Sequence, residues 1–207
     1  MPTTFVNTCK DALGIFIAIG YRTFNERNWK KPQPMFNVLQ VKESKVDSFK
    51  EFLNKSLVIS LKYDTPISLG PFYSSDTKTF IYTTHYSSTN AYMKVCGNLL
   101  TSGLSKSRAK ATQETNWIYC SQEETKEFST ISNVIMVGVN GEINNFIDFI
   151  SRKELAPLAK VKKIKDVRGN GFVNYFFFKD EPENLKLFRD YAKSGESVNV
   201  IQAKKLT

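Results

Sequence analysis

Five basic side chains precede a ring-rich stretch near the carboxyl end of the chain. The cations are Lys160, Lys162, Lys163, Lys165 and Arg168, and residues 172–179 read FVNYFFFK. Aromatic rings stack on the bases of single-stranded nucleic acid, while lysine and arginine bind its phosphates. In a strand, Tyr175 and Phe177 share one face, and Phe172 and Phe176 share the other. We therefore expect a binding surface made of Phe172, Tyr175, Phe177 and the five cations. The alternative is an edge strand that its lysines protect from aggregation.

A second group of cations occupies residues 101–115, which read TSGLSKSRAKATQET. Leu104 is the one large apolar residue of this segment, so the composition predicts a mobile basic loop or linker. Lys106, Arg108 and Lys110 alternate, and in an extended segment they would lie on one side. These three residues are expected to make a second phosphate contact, or else to be solvated charges of a linker.

Residue patterns typical of catalysis are scarce. His85 is the single histidine, which excludes sites that need two imidazoles. The sequence contains no phosphate-binding glycine loop, dinucleotide-binding motif or nucleophile-elbow motif. Tyr82, His85 and Tyr86 in the stretch TFIYTTHY could stack on bases, although tyrosines more often fill a sheet. We therefore expect a non-enzymatic protein without catalytic residues, metal or cofactor.

Composition and charge limit the cellular compartment and the kinds of partner that we expect. The 207 residues are 41% hydrophobic, which is typical of a folded protein, and the net charge of +9 favours an anionic partner. Cys9, Cys96 and Cys120 form no CxxC pair, so a reducing, cytoplasmic setting is expected. The apolar stretch 13–21 is too short to cross a bilayer as a helix, so no integral membrane segment is expected.

The periodicity of apolar residues predicts helices and strands along most of the chain. In the first part it predicts a loop or arm over 22–36, a strand at 37–41, a helix to about residue 55 and a strand at 57–63. A turn over 64–76, a strand at 78–86 and a short strand at 116–120 follow. Residues 133–207 predict the order β-α-β-β-α-β, with elements at 133–139, 143–154, 160–167, 172–179, 182–193 and 197–203. Two helices then cover one face of a four-stranded sheet, and the other face stays open for one row of rings.

Two segment pairs suggest an internal repeat. NVLQV at 37–41 matches NVIMV at 133–137, and FKEFL at 49–53 matches FIDFI at 146–150. Any strand followed by an amphipathic helix can look alike, so chance similarity is the alternative. We expect an α+β fold of two mostly antiparallel sheet halves with helices packed on one face. The expected divisions are an N-terminal strand or arm at 1–36, an α+β half at 37–122 and a second half at 133–207.

The second half resembles the RNA-recognition motif family in topology more than in motif. Gly171 and Phe172 stand where the third strand of that family has glycine and an aromatic residue. The chain departs from the family pattern elsewhere, because Asn174 replaces the second aromatic residue and Ile135 replaces the aromatic residue of the first strand. The resemblance implies a ferredoxin-like fold and RNA binding.

The sequence therefore predicts an RNA-binding or single-stranded nucleic-acid-binding protein with low sequence specificity. Stacking and phosphate contacts read no base identity, which is why little specificity is expected. The alternative is a viral or phage structural or assembly protein, matrix-like or shell-associated, that uses the same surface for protein or membrane contact. In either case the partner could also be another protein or a second copy of the chain. A nuclease is a third hypothesis.

Overall fold

The computed structural model describes residues 33–64, 67–125, 131–140, 143–166, 173–195 and 197–206. Within those ranges only the backbone is described for 33–35, 113–125, 162–166 and a few single residues. The predicted arm at 1–32 and the apolar stretch 13–21 lie outside the described residues.

The first half of the chain contains four strands and three helices. They are β1 (Gln33–Val41), α1 (Val46–Leu61), β2 (Ile67–Ser74), β3 (Thr79–Tyr86), α2 (Thr89–Thr101), α3 (Leu104–Ala111) and β4 (Thr112–Thr125). A single 3-10 turn, Glu43–Lys45, leads into α1. Phe49, Phe52 and Leu53 are buried on one side of α1, because spacings of three and four place them together. Gly103, with a φ of 75°, makes the left-handed turn between α2 and α3.

The second half contains four strands and two helices in the predicted order. They are β5 (Asn133–Asn140), α4 (Asn144–Arg152), β6 (Ala159–Asp166), β7 (Val173–Lys179), α5 (Pro182–Lys193) and β8 (Val198–Lys205). Pro182 begins α5, where its missing N–H leaves no helical hydrogen bond unmade. The β-α-β-β-α-β order expected from the sequence is confirmed.

All eight strands form one closed antiparallel barrel. The strand order around the barrel is β1-β3-β2-β8-β5-β7-β6-β4. Each half therefore contributes the same local order, β4-β1-β3-β2 and β8-β5-β7-β6. The halves are joined by β4 against β6, from Ile118–Asp166 to Thr125–Ala159. On the other side they are joined by β2 against β8, at Phe72–Lys205 and Tyr73–Lys204.

Among the described residues, apolar side chains pack in three clusters. The cluster inside the barrel draws on strands of both halves, and it includes Phe36, Leu69, Phe72, Met136, Tyr175, Phe177 and Ile201. One outer cluster packs α1 and α3 on the first half, around Leu39, Phe49, Phe80 and Tyr82. The other packs α4 and α5 on the second half, around Ile135, Phe146, Phe178 and Phe188. The predicted α+β class, with mostly antiparallel strands and helices on one face of the sheet, is confirmed.

Several local predictions in the first half are wrong. Residues 57–61 continue α1 instead of forming a strand, and Val58 and Leu61 are 58% and 66% exposed. Their alternation resembles a strand, but burial of Phe49 and Phe52 fixes the whole segment as helix. The predicted turn at 64–76 contains β2, and the last four residues of the arm predicted at 22–36 belong to β1, which begins at Gln33. The proposed division into 37–122 and 133–207 stays a prediction.

Candidate functional site

The ring-rich strand expected to bind nucleic acid is buried on both faces. Tyr175 is 7% exposed and Phe177 is fully buried, and both rings contact Phe36 inside the barrel. On the other face, Phe176 and Phe178 are 2% exposed beneath the helices of the second half. The prediction of an exposed ring face is therefore wrong. Its physical reason is closure, because the face that an open four-stranded sheet would expose becomes the interior of the barrel.

Of the five basic residues predicted to flank this strand, only Lys160 has a side chain that the structure describes. Lys160 is exposed on β6. Lys162, Lys163 and Lys165 lie in β6 with side chains outside the described part of the chain, and Arg168 and Phe172 lie outside it altogether. β6 pairs with both β4 and β7, so the alternative of an edge strand protected by lysines is also wrong.

Lys106, Arg108 and Lys110 lie on α3, so the prediction of a mobile loop there is wrong. Helical spacing puts Lys106 and Lys110 on one side and turns Arg108 away from them. Arg108 instead shares its side with Leu104 and Ala111, which pack in the outer cluster of the first half. Leu104 lies four residues before Arg108 and Ala111 lies three residues after it. This helical spacing is the sequence signal that Arg108 faces inward.

Asn37, Tyr82 and Arg108 form a polar group between the sheet and the helices of the first half. Asn37 on β1 lies directly opposite Tyr82 on β3, and the two residues are 4% and 7% exposed. Tyr82 packs in the same outer cluster as Leu39 and Phe80. Arg108 approaches from α3, and one terminal nitrogen of its guanidinium is shielded from solvent. We call Asn37, Tyr82 and Arg108 the polar triad.

Burial and charge determine which hydrogen bonds the polar triad can donate. Burial raises the pKa of Tyr82, because the phenolate form would lose its hydration, and the positive charge of Arg108 opposes that shift. The phenol is therefore protonated at neutral pH and can donate a hydrogen bond. Guanidinium and amide N–H groups are donors as well. The arrangement suits a ligand oxygen that is a carbonyl or carries negative charge.

A surface groove lies between α4 and α5. It encloses about 380 Å³, and its walls are Asn145, Asp148, Phe149, Arg152, Lys153 and Tyr191. Phe149 and Tyr191 stack with ring centroids 4.1 Å apart. Four of the lining residues are exposed, and three of these, Asp148, Arg152 and Lys153, are charged, so the groove is open to solvent. Chemistry that requires exclusion of water is better served by the polar triad.

The sequence predicted other roles for Tyr82 and Arg108, namely base stacking and phosphate binding, and it did not single out Asn37. Tyr86 is buried like Tyr82, and its ring meets Tyr92 edge-on at 4.9 Å, while His85 is partly exposed. Tyr82 and Tyr86 are therefore too deeply buried for the base stacking that the sequence predicted for them. Among the described residues, no group of His, Cys, Asp and Glu is placed to hold a metal ion. No helix within the described ranges combines the length and apolarity needed to cross a membrane.

Comparison with known proteins finds similarity only at the level of structure. No protein-family model matches the sequence, and no curated protein matches it. An anthrone oxidase-like protein superposes with a TM-score of 0.60 at 12% identity, covering 86% of this chain and 92% of its own. A protein of Fusobacterium nucleatum, provisionally assigned as a monooxygenase, gives 0.54 at 14% identity, covering 87% and 94%. One of Lactobacillus acidophilus, assigned in the same way, gives 0.51 at 8% identity, covering 84% and 93%.

These comparisons correct the function expected from the sequence. The proteins that share the fold are described as oxygenases or as oxidase-like, so the prediction of a non-enzymatic protein is wrong. Nucleic-acid binding and a viral or phage structural role are overturned by the same comparisons, and the burial of Tyr175 and Phe177 removes their physical basis. The resemblance of the second half to the RNA-recognition motif family stays a prediction about topology.

Proposed function

We propose that the chain is an oxidoreductase that uses molecular oxygen on a flat, oxygen-bearing aromatic substrate at the polar triad. The observation that carries this proposal is the donor-rich group of Asn37, Tyr82 and Arg108 beside the apolar cluster of the first half. Buried polar groups with shifted pKa values concentrate at functional sites. The fold is shared with proteins described as monooxygenases and as anthrone oxidase-like, over most of each chain.

The proposed chemistry balances without a further reductant. In an anthrone-type substrate, a methylene group and one O₂ give a carbonyl group and one water molecule. The substrate loses a methylene proton to bulk water before it enters the site, which places negative charge on its carbonyl oxygen, and this electron-rich anion is the species that O₂ oxidises. Arg108 stabilises that oxyanion by charge, and the neutral Tyr82 hydroxyl donates a hydrogen bond to it. Asn37 orients the same oxygen through its amide.

An oxygen-electrode assay with anthrone tests the proposal. The wild-type chain is expected to consume O₂ and form anthraquinone faster than the uncatalysed autoxidation. Tyr82→Phe and Arg108→Gln are each expected to lower kcat by about 100- to 1,000-fold, the range for losing one stabilising donor. Lys110→Gln removes the same charge from an exposed position of α3 and is expected to leave the rate unchanged.

Two outcomes would contradict the proposal. One is that neither anthrone nor hydroxylated anthrones react faster with the protein than without it. The other is that Lys110→Gln lowers the rate as much as Arg108→Gln, since general surface charge would then explain the effect. Circular dichroism and urea unfolding of each variant separate loss of chemistry from loss of fold.

A further inference from the structure

The two halves of the barrel have matching topology but differ in what they bury. Each half places its first and third strands side by side beneath helices, as β1–β3 and β5–β7. In the second half, the buried side chains of this outer layer are Ile135, Val137, Val139, Phe176 and Phe178, all of them hydrocarbon. Ile135 lies directly opposite Phe178, as Leu39 lies opposite Phe80 in the first half.

The distribution of buried polar side chains follows the same division. In the part of the chain that the structure describes, the buried asparagine, serine and threonine side chains all belong to the first half: Asn37, Ser60, Ser74, Thr79, Thr83 and Thr84. Burying a polar group costs free energy unless it is hydrogen-bonded, so a structural copy is expected to lose such groups. The second half fills the corresponding layer with rings, and Phe178 packs on Phe188 with centroids 4.5 Å apart.

One helix accounts for the cationic part of this difference. In the first half, α3 stands between α2 and β4 and supplies Arg108. In the second half, α5 ends at Lys193 and β8 begins at Val198, which leaves no room for an equivalent helix. The guanidinium of the polar triad therefore comes from an element that the first half alone possesses.

We propose that the chain holds one ligand per molecule, at the polar triad of the first half, and that the corresponding layer of the second half holds none. This inference rests on the proposed function for the location of the site and adds the number of sites. Helix α3 is the element that distinguishes the two halves, because it delivers the charge that the ligand oxygen requires. The matching topology alone would instead favour two sites per chain.

Titration with the hydroxyanthraquinone alizarin tests the number and place of the sites. Isothermal titration calorimetry on the full chain is expected to give one alizarin per molecule. The ionised dye absorbs at longer wavelength than the neutral dye, so a visible shift reports binding beside a cation. Arg108→Gln is expected to weaken binding by about 10- to 100-fold and to remove the shift. Arg189→Gln makes the same change on the exposed surface of α5 and is expected to have no effect.

The outcomes separate this inference from the proposed function. Saturation at two dyes per chain, loss of affinity in Arg189→Gln but not in Arg108→Gln, or no binding to the wild-type chain would overturn the single-site inference. One dye per chain with no oxygen consumption would retain the single site and reject the oxidoreductase proposal. Oxygen consumption together with two bound dyes per chain would retain the oxidoreductase proposal and reject the single site.

Discussion

The ring of Phe36 lies 5.1 Å from the ring of Tyr175, centroid to centroid, and so joins the first strand of one half to the third strand of the other. Phe36 also meets Phe177 edge-on at 5.9 Å. Rings in these tilted and edge-on arrangements attract one another beyond simple burial of area. The interior of the barrel is therefore a core common to both halves.

Changes at either side of this core should destabilise the whole chain. Phe36→Ala and Phe177→Ala each remove a fully buried ring and are expected to lower the free energy of unfolding by about 3–5 kcal/mol. Urea unfolding should show a single transition that moves to lower urea in both variants. Val58→Ala, at a 58% exposed position, serves as the control and should cost far less. Two separate transitions, with each variant moving only one, would show independent halves.

Two glycines give opposite expectations for the same substitution. Gly70 has a φ of 81°, and a Cβ there would lie 2.6 Å from the carbonyl oxygen of Ile81. Gly70→Ala should cost about 1–3 kcal/mol from the backbone conformation, and the clash adds to that. Gly97 lies in α2 with no atom within 4 Å of its would-be Cβ, so Gly97→Ala should stabilise by about 0.5–1 kcal/mol. Thermal melting of both variants measures the difference, and a gain from Gly70→Ala would contradict the backbone conformation described for β2.

The raised pKa of Tyr82 predicts a particular loss of stability in alkali. The unfolded chain releases the phenol proton near the ordinary value of 10.0, whereas the folded chain holds it to higher pH. The unfolded state then binds fewer protons, so the free energy of unfolding falls as pH rises above about 10. Tyr82→Phe should show a smaller fall between about pH 9 and pH 11 than the wild type in urea titrations. An identical pH dependence of the two proteins would mean that Tyr82 ionises in the folded chain as it does when unfolded.

The start of α2 depends on one side-chain hydrogen bond. The backbone N–H of Ala91 donates to Oγ of Ser88 at 3.1 Å, which satisfies one of the free donors of the first turn. Ser88→Ala should therefore lower the free energy of unfolding by about 0.5–2 kcal/mol. Ser88→Asp keeps an acceptor at the same position and should behave like the wild type in chemical denaturation. Equal losses in both variants would show that the serine acts through something other than its cap.

Sequence patterns predicted the second half well, because its local signals agree with one another. The apolar run 133–139, the helix with Phe146 and Ile150 inward, and Pro182 at a helix start are each typical of the element found there. In the first half the signals conflict. Residues 57–61 alternate like a strand but continue a helix, and Gly70 and Pro71 suggested a turn where β2 runs.

Closure of the sheet was beyond the reach of local patterns. Alternation correctly gave two apolar rows on β7, yet it could not say that β4 would pair with β6 and enclose one row. That pairing joins residues about forty positions apart and depends on the whole sheet. The polar triad was missed for the same reason, since Asn37, Tyr82 and Arg108 are distant in sequence. The only sequence signal was the helical spacing of Arg108 with Leu104 and Ala111, which indicates that Arg108 faces inward.

The two joints that complete the barrel differ in length, and local opening should begin at the shorter one. β2 meets β8 at Phe72–Lys205 and Tyr73–Lys204, close to the carboxyl end, where the N–H of Leu206 also donates to the carbonyl of Pro71 at 2.8 Å. Amide protons of residues 204–206 should therefore exchange with deuterium long before those of the β5–β7 ladder. Opening along this line would expose one edge of the barrel core to water while the longer joint between β4 and β6 stays closed.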